Sequence, residues 1–235
     1  MRRGLVPSRE QAVAAVEAGR ATVNGAVADK PARLVAAGDA IELRGDPPRF
    51  VSRGGEKLDA ALDAFAIDVA GRRGLDAGAS TGGFTDCLLQ RGAREVVAVD
   101  VGYGQLHERL RADPRVDVRE RLNVRTIDAD TIGGPVDIVV ADLSFISLRT
   151  VASALLACAR PGSPLVLLVK PQFEAGKAEA AKGKGVIRDP EVRARTVAEV
   201  GSALEALGAA IMGVVESPIT GADGNVELLL HATAP

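Results

Sequence analysis

The chain has 235 residues, 47% hydrophobic and 26% charged, enough for a packed core in one medium domain plus a small one and too apolar for intrinsic disorder. A net charge of −2 argues against a generally basic nucleic-acid binder, the apolar runs are far too short to cross a bilayer, and Cys87 and Cys158 lie far apart without metal-ligand spacing. The start, Met1-Arg2-Arg3-Gly4, has no apolar stretch behind it, so a cytoplasmic protein with no metal, disulfide or secretory signal is expected.

The first elements predict a small α+β unit. Ser8-Arg9-Glu10-Gln11 reads as a capping box, with the serine hydroxyl serving the third amide and Gln11 reaching back. A short helix should run from it to about Ala18 and stop at Gly19. Ala21-Thr22-Val23 followed by Asn24-Gly25 is a strong hairpin signal, and Asp39 to Leu43 alternates like a further strand. The unit ends near Arg44, and Gly45-Asp46-Pro47-Pro48 is the clearest linker in the chain. Up to Lys57 the chain carries 10 basic and 7 acidic side chains, and beyond it 19 and 24. A basic head on an acidic body fits an RNA-docking module joined to an enzyme, although a few solvated arginines give the same count. Phe50 has two readings: it packs the two modules together or it touches RNA.

From Phe50 onward strands and helices alternate. Strands are predicted at Gly74–Ala77, Val96–Val101, Val116–Arg119, Val136–Asp142 and Leu165–Val169. Helices should fill Gly83–Arg91, Gln105–Arg111, Ser147–Ala159 and Pro190–Leu207, and Gly213–Glu216 and Val226–His231 read as two closing strands with no helix between them. Such alternation implies an α/β fold, a parallel sheet covered on both faces, with the closing pair ending it antiparallel.

Leu75-Asp76-Ala77-Gly78-Ala79-Ser80-Thr81-Gly82-Gly83-Phe84 is a strand running through a glycine-rich turn into a helix, the place where ligands bind such sheets. The next strand ends at Asp100, where a carboxylate can accept both hydroxyls of a ribose. A nucleoside triphosphate site wants Gly-Lys-Ser/Thr, which is absent. A dinucleotide site wants G-x-G-x-x-G, but Ser80 stands where the second glycine belongs. Asp-x-Gly-x-x-x-Gly-Gly, with no cation aimed at a phosphate, resembles the motif of S-adenosylmethionine-dependent methyltransferases; the plain alternative is a glycine turn with no ligand.

Four charged residues sit where a parallel sheet converges its strand ends: Lys57 in Ser52-Arg53-Gly54-Gly55-Glu56-Lys57-Leu58, Asp142 and Lys170 at the ends of apolar strands, and Glu227 inside an otherwise apolar closing strand. Charges in such places are costly unless paired or exposed. Ordinary strand-end charges in water explain any one of the four as well as a functional role does, but all four together much less well.

Ser-Arg-Gly-Gly-Glu-Lys-Leu, Asp-Ala-Gly-Ala-Ser-Thr-Gly-Gly-Phe-Thr, Ala-Asp-Leu-Ser-Phe-Ile-Ser and Val-Lys-Pro-Gln-Phe-Glu together closely resemble the TlyA (hemolysin A) family, over essentially the whole chain. Members of that family couple an S4-type RNA-binding domain to an FtsJ/RrmJ-like methyltransferase. The resemblance implies an S4-like domain over 1–45, a linker over 46–52 and a Rossmann-like class I S-adenosylmethionine-dependent methyltransferase domain over 53–235. It implies 2'-O-methylation of cytidine in ribosomal RNA, in 23S and, for the longer type of the family, also in 16S. It makes Lys57, Asp142, Lys170 and Glu227 the catalytic tetrad and S-adenosyl-L-methionine the cofactor. Gly78, Ala79, Ser80, Thr81, Gly82, Gly83, Phe84, Asp100, Val101, Asn123 and Asp142 are then expected to hold that cofactor. A monomer with no metal and no membrane partner is expected. An Arg-Leu/Val-Asp-x-x-Leu segment usually precedes the stretch matched by Arg2-Arg3-Gly4-Leu5, so either the true start lies upstream or the S4-like module is incomplete, and the short tail after Glu227 puts the 16S activity in question.

The chemistry suits those residue types. A ribose hydroxyl is a poor nucleophile and a sulfonium methyl is already activated, so the protein must take one proton and align an in-line attack. Lys170 is the favoured base if neutral, and a second ammonium such as Lys57 nearby favours that form. At about 4 Å and an effective dielectric near 20, two ammonium groups repel by about 4 kcal/mol. Asp142 and Glu227 would hold the lysines in place; which lysine loses its proton stays open. Asp142-Leu143-Ser144-Phe145 lacks the prolines common in amino-methylating enzymes. The tract from Glu174 to Arg188, with Lys177, Lys182 and Lys184, is either a phosphate-contacting lid or a solvated loop. With no Trp and one Tyr, RNA recognition should rest on shape and backbone, and His107 and His231 read as structural. Two rival readings are a non-catalytic RNA-binding or assembly factor on the same fold, and a membrane-active cytolysin, which no long amphipathic or apolar segment supports.

Overall fold

The computed structural model describes residues 3–6, 9–17, 19–45, 48–221 and 223–235, without the side chains of residues 10, 11, 14, 17 and 177. The expected capping box at Ser8 and Gln11, the middle of the linker at Asp46-Pro47 and the side chain of Lys177 lie outside the described residues. The chain divides into two compact units, Met1–Arg49 and Phe50–Pro235.

The first unit has helix α1 (Arg9–Glu17) and strands β1 (Ala21–Val23), β2 (Ala26–Val27) and β3 (Ile41–Leu43), in an antiparallel sheet ordered β2-β1-β3. Asn24 and Gly25, at φ of 50° and 81°, make the tight turn that the Asn-Gly pair predicts, because both positions need the left-handed region. The Asn24 side chain also receives the Ala40 amide at 2.8 Å and donates to Asp39 at 2.9 Å, joining the hairpin to the loop before β3. Ala21, Val23 and Ala28 form a small core with Val16 and Leu43.

The second unit is a seven-stranded mixed sheet. Its strands are β4 (Arg73–Ala77), β5 (Glu95–Asp100), β6 (Val116–Glu120), β7 (Ile138–Ala141), β8 (Pro164–Val169), β9 (Ala210–Glu216) and β10 (Leu228–Thr233), ordered β6-β5-β4-β7-β8-β10-β9. The first five are parallel, and β10 runs antiparallel between β8 and β9. Period-two alternation splits the central strands between two cores. Leu75, Val97, Val139, Leu165, Leu167 and Leu230 face one side, with Val151, Leu155, Val200 and Leu204 of helices α5 (Leu148–Cys158) and α8 (Pro190–Glu205). Val96, Ala98, Ile138, Val140, Val166, Leu168 and Leu229 face the other, with Leu58 and Leu62 of α2 (Gly54–Ala64) and Phe84 and Leu88 of α3 (Gly83–Gln90). Burial on both faces explains why these strands read as nearly unbroken apolar runs. No helix of the described residues is long and apolar enough to cross a membrane.

Several expectations need correction. Helix α2 was not expected; its Gly55 is there because a Cβ would lie 2.3 Å from Cγ of Phe50. Phe50 is buried within the second unit's own core rather than reserved for RNA. The helix expected over Gln105–Arg111 shrinks to α4 (Glu108–Arg111), capped by His107, whose Nδ1 accepts the Arg109 amide at 3.2 Å. Glu227 is not inside a strand: it immediately precedes β10, and its carbonyl accepts the Ser217 amide at 2.9 Å. The tract after β8 contains two short helices, α6 (Pro171–Glu174) and α7 (Lys177–Lys182).

Candidate active site

The ends of β5, β4, β7 and β8 stand side by side, and each contributes to one locale. The turn after β4 is anchored to its neighbour: the amides of Gly78 and Ala79 donate to the Val99 carbonyl at 2.8 and 3.1 Å. Asp100 accepts the Ser80 amide at 2.8 Å on one oxygen and the Gly102 amide at 2.6 Å on the other, so its carboxylate is fixed beside the turn. On the other side the Asp142 amide donates to the Ala77 carbonyl at 3.1 Å.

The glycines owe their places to packing. Gly78 has φ of 88°, and a Cβ there would meet the Asp142 carbonyl oxygen at 2.6 Å and Leu143 Cδ2 at 2.8 Å. Ser80 takes a left-handed φ of 47° without being glycine, a strain typical of functional turns. Gly82 caps α3 with no side-chain acceptor, so the helix presents its N-terminal amides and positive dipole end to the turn.

The four charged residues expected from the sequence form two ion pairs. Lys170 Nζ lies 2.5 Å from Asp142 Oδ1 and donates a hydrogen bond to Ser144 Oγ at 3.1 Å. Lys57, on the buried face of α2, donates to Glu227 Oε2 at 2.6 Å, with both side chains buried. Each lysine is set against its own carboxylate. Alternation along the strands explains the convergence. Val140, Leu168 and Leu229 face the α2–α3 core, so Asp142, Lys170 and Glu227, two residues from each of them in turn, return to that face. Leu228 pairs with Val169, which brings Glu227 and Lys170 to the same end of adjacent strands.

Two features of the site were missed in the sequence. Asp76 is fully buried; its Oδ2 accepts the Thr85 hydroxyl at 2.6 Å, while its Oδ1 has no hydrogen-bond partner. Burial pushes its carboxyl up to about 7, against the pull of Thr85 and with a further push from Asp142 and Asp100. Phe145, three residues past Asp142, is 89% exposed at φ of 65°, its ring 5.2 Å from that of Phe173. The motif signalled Asp76, but only coordinates reveal its unmet oxygen. Of the remaining expected residues, Val101 is exposed, and Asn123 caps a 3-10 turn by accepting the Arg125 amide at 3.0 Å.

Residues 50–234 match the FtsJ-like methyltransferase family and residues 2–41 the S4 domain. The 16S/23S rRNA (cytidine-2'-O)-methyltransferase TlyA of Mycobacterium tuberculosis is 54% identical over 98% of this chain and 86% of that protein. The chain belongs to the TlyA family. Hemolysin A of Brachyspira hyodysenteriae, also similar to this TlyA-family chain, is 39% identical over 97% of this chain and 95% of that protein. A solved structure named as a hemolysin from Streptococcus thermophilus superposes with a TM-score of 0.81 at 40% identity, over 99% of this chain and 85% of that one. A Listeria monocytogenes methyltransferase structure at 18% identity and TM-score 0.57 shares the sheet architecture alone.

The residues present fit S-adenosylmethionine. Its ammonium would suit the unmet oxygen of Asp76, its carboxylate the N-terminal end of α3, and its ribose hydroxyls the fixed carboxylate of Asp100.

Proposed function

We propose that this TlyA-family chain uses S-adenosylmethionine to methylate a ribose 2'-hydroxyl, that of a cytidine, in ribosomal RNA. The observation that carries the reading is the Lys170–Asp142 pair, 2.5 Å apart, beside the glycine turn. The cofactor supplies an electrophilic methyl group on a sulfonium centre. The protein's share is to orient the hydroxyl and accept its proton as the new bond forms, work worth about 10²–10⁴-fold from a placed base. Lys170 is the proposed acceptor, with Asp142 and Ser144 fixing its Nζ. Lys57, held by Glu227, is the site's fixed positive charge. Phe145 offers an exposed aromatic face on which the target base can pack.

Residues 1–45 are proposed to grip the RNA as an S4-like module, 46–52 to link it and 53–235 to carry the chemistry. The proposed setting is the cytoplasm, and the proposed form a monomer. Support for the substrate comes from the activity for which the M. tuberculosis relative is named and from the S4 match.

The test is tritium transfer from labelled cofactor to purified ribosomal subunits, with mass-spectrometric mapping of the modified nucleosides. A 2'-O-methylcytidine, lost in Lys170→Ala while that variant stays folded and still binds cofactor, is the expected result. Label on a base, or none on RNA, overturns the reading; RNA binding without transfer marks an assembly factor, and leakage of liposomes by nucleic-acid-free protein marks a cytolysin.

A further inference from the structure

Glu174 belongs to the tract that the sequence left between a lid and a solvated loop, yet the residue is 3% exposed and both carboxylate oxygens are hydrogen-bonded. Its Oε2 accepts the Ser147 hydroxyl at 2.5 Å and its Oε1 the Leu148 amide at 2.7 Å. Ser147 is the N-cap of α5, so the carboxylate sits on the positive end of that 11-residue helix. Arg149 covers it, with Nε 3.5 Å from Oε2, donating also to the Glu174 carbonyl at 2.9 Å and to Glu199 at 2.9 Å.

These bonds join the two loops that carry Asp142 and Lys170. One leaves β7 and passes Asp142, Ser144 and Phe145 before reaching Ser147; the other leaves β8 and passes Lys170 and Phe173 before reaching Glu174. At the base the loops are held by the sheet, where Ala141 pairs with Leu167. At the far end Glu174 is the described tie between them. The Lys170–Asp142 contact, the Lys170–Ser144 hydrogen bond and the Phe145–Phe173 ring pair all lie between these two closures.

We infer that Glu174 is a positioning residue for methyl transfer, a clasp that shuts the Asp142 and Lys170 loops into one ring and so sets the reach of Lys170. Buried as it is, it is inferred to act through Lys170 rather than on cofactor or RNA. A charged carboxylate accepting two hydrogen bonds at a helix N-terminus is a stiff joint, and a shift of about 1 Å at a reacting group costs about 100-fold in rate. The inference rests on the proposed role of Lys170.

The full chain is assayed with S-adenosylmethionine and ribosomal subunits, with Lys170→Ala as the reference. Glu174→Ala is expected to lower kcat about 10–100-fold, with KM for both substrates and the cofactor Kd by calorimetry within about twofold. Glu174→Gln, which still accepts the Leu148 amide and can donate to Ser147, should recover most of the loss. Should Glu174→Ala fail to fold, Ser147→Ala removes only one hydroxyl from the clasp and should show the same split between kcat and KM. Parental kcat in Glu174→Ala or Ser147→Ala beside an inactive Lys170→Ala overturns the clasp alone. A loss of kcat that follows thermal stability and is not rescued by Gln also overturns it. An active Lys170→Ala overturns the reading of the site, and the clasp with it.

Discussion

Lys57 and Glu227, 170 positions apart in the chain, meet at 2.6 Å with both side chains buried. Removing one member of a buried pair strands the other, at about 3–5 kcal/mol. Glu227→Ala is therefore expected to lose about that much in urea unfolding. The apolar double variant Lys57→Met with Glu227→Leu should lie much closer to the parent in stability, yet remain without methyl transfer. A loss in the double variant equal to the sum of the two single losses would show that the pair is not coupled.

Asp76 gives a pH dependence. Folded, it keeps its proton up to about pH 7, whereas the ordinary value is 3.8, so the folded state binds the extra proton between these limits. Its contribution to stability is thus whole below about pH 4 and is lost as pH rises through about 7. The span corresponds to about 4 kcal/mol, less about 1–3 kcal/mol for the unbonded amide N–H that an asparagine would introduce. Asp76→Asn should be more stable than the parent by about 1–3 kcal/mol at pH 8 and should lose that advantage near pH 4, read by denaturant midpoints. The same variant should bind S-adenosylmethionine more weakly above pH 7, where the parent offers a carboxylate to the ammonium.

Gly78→Ala tests the approach of the turn to Asp142. Left-handed strain and overlap with a carbonyl together cost about 2–4 kcal/mol. Thermal unfolding should show the loss, and calorimetry should show cofactor binding weakened, because the Asp142 backbone must yield to the new methyl group.

Phe145→Gly separates stability from activity. Relief of the left-handed strain, about 1–2 kcal/mol, is nearly offset by the added freedom of the unfolded chain. Unfolding midpoints should hardly move, while transfer to RNA falls at least about tenfold through lost base packing. Full activity would remove the ring from the proposed base contact.

The sheet was legible in the sequence because its strands are buried on both faces, and short β-branched apolar runs such as Ile138–Ala141 favour strand over helix. Asp142 and Lys170 were legible as a charged pair because charges at the ends of such runs stand out, whereas the catalytic role of the four charged residues came from the family resemblance and is a proposal. Helix α2 was not, since the reason for Gly55 is a ring five residues earlier that fills the space of its missing Cβ. The role of Glu174 was hidden among lysines, since its partners, Ser147 and Leu148, are 27 and 26 positions away. Asp76 sat in full view within the motif, but the want of a partner at one oxygen is a property of the surroundings, not of the residue.

Strand β10 follows β8 and β9 in the chain but lies between them. A nascent polypeptide therefore reaches residue 226 with one flank of β8 bare and β9 still unpaired, and the last segment must slot into the gap rather than add to an edge. Until it does, Lys57 lacks the Glu227 carboxylate that it meets in the finished fold, and the proposed site is incomplete.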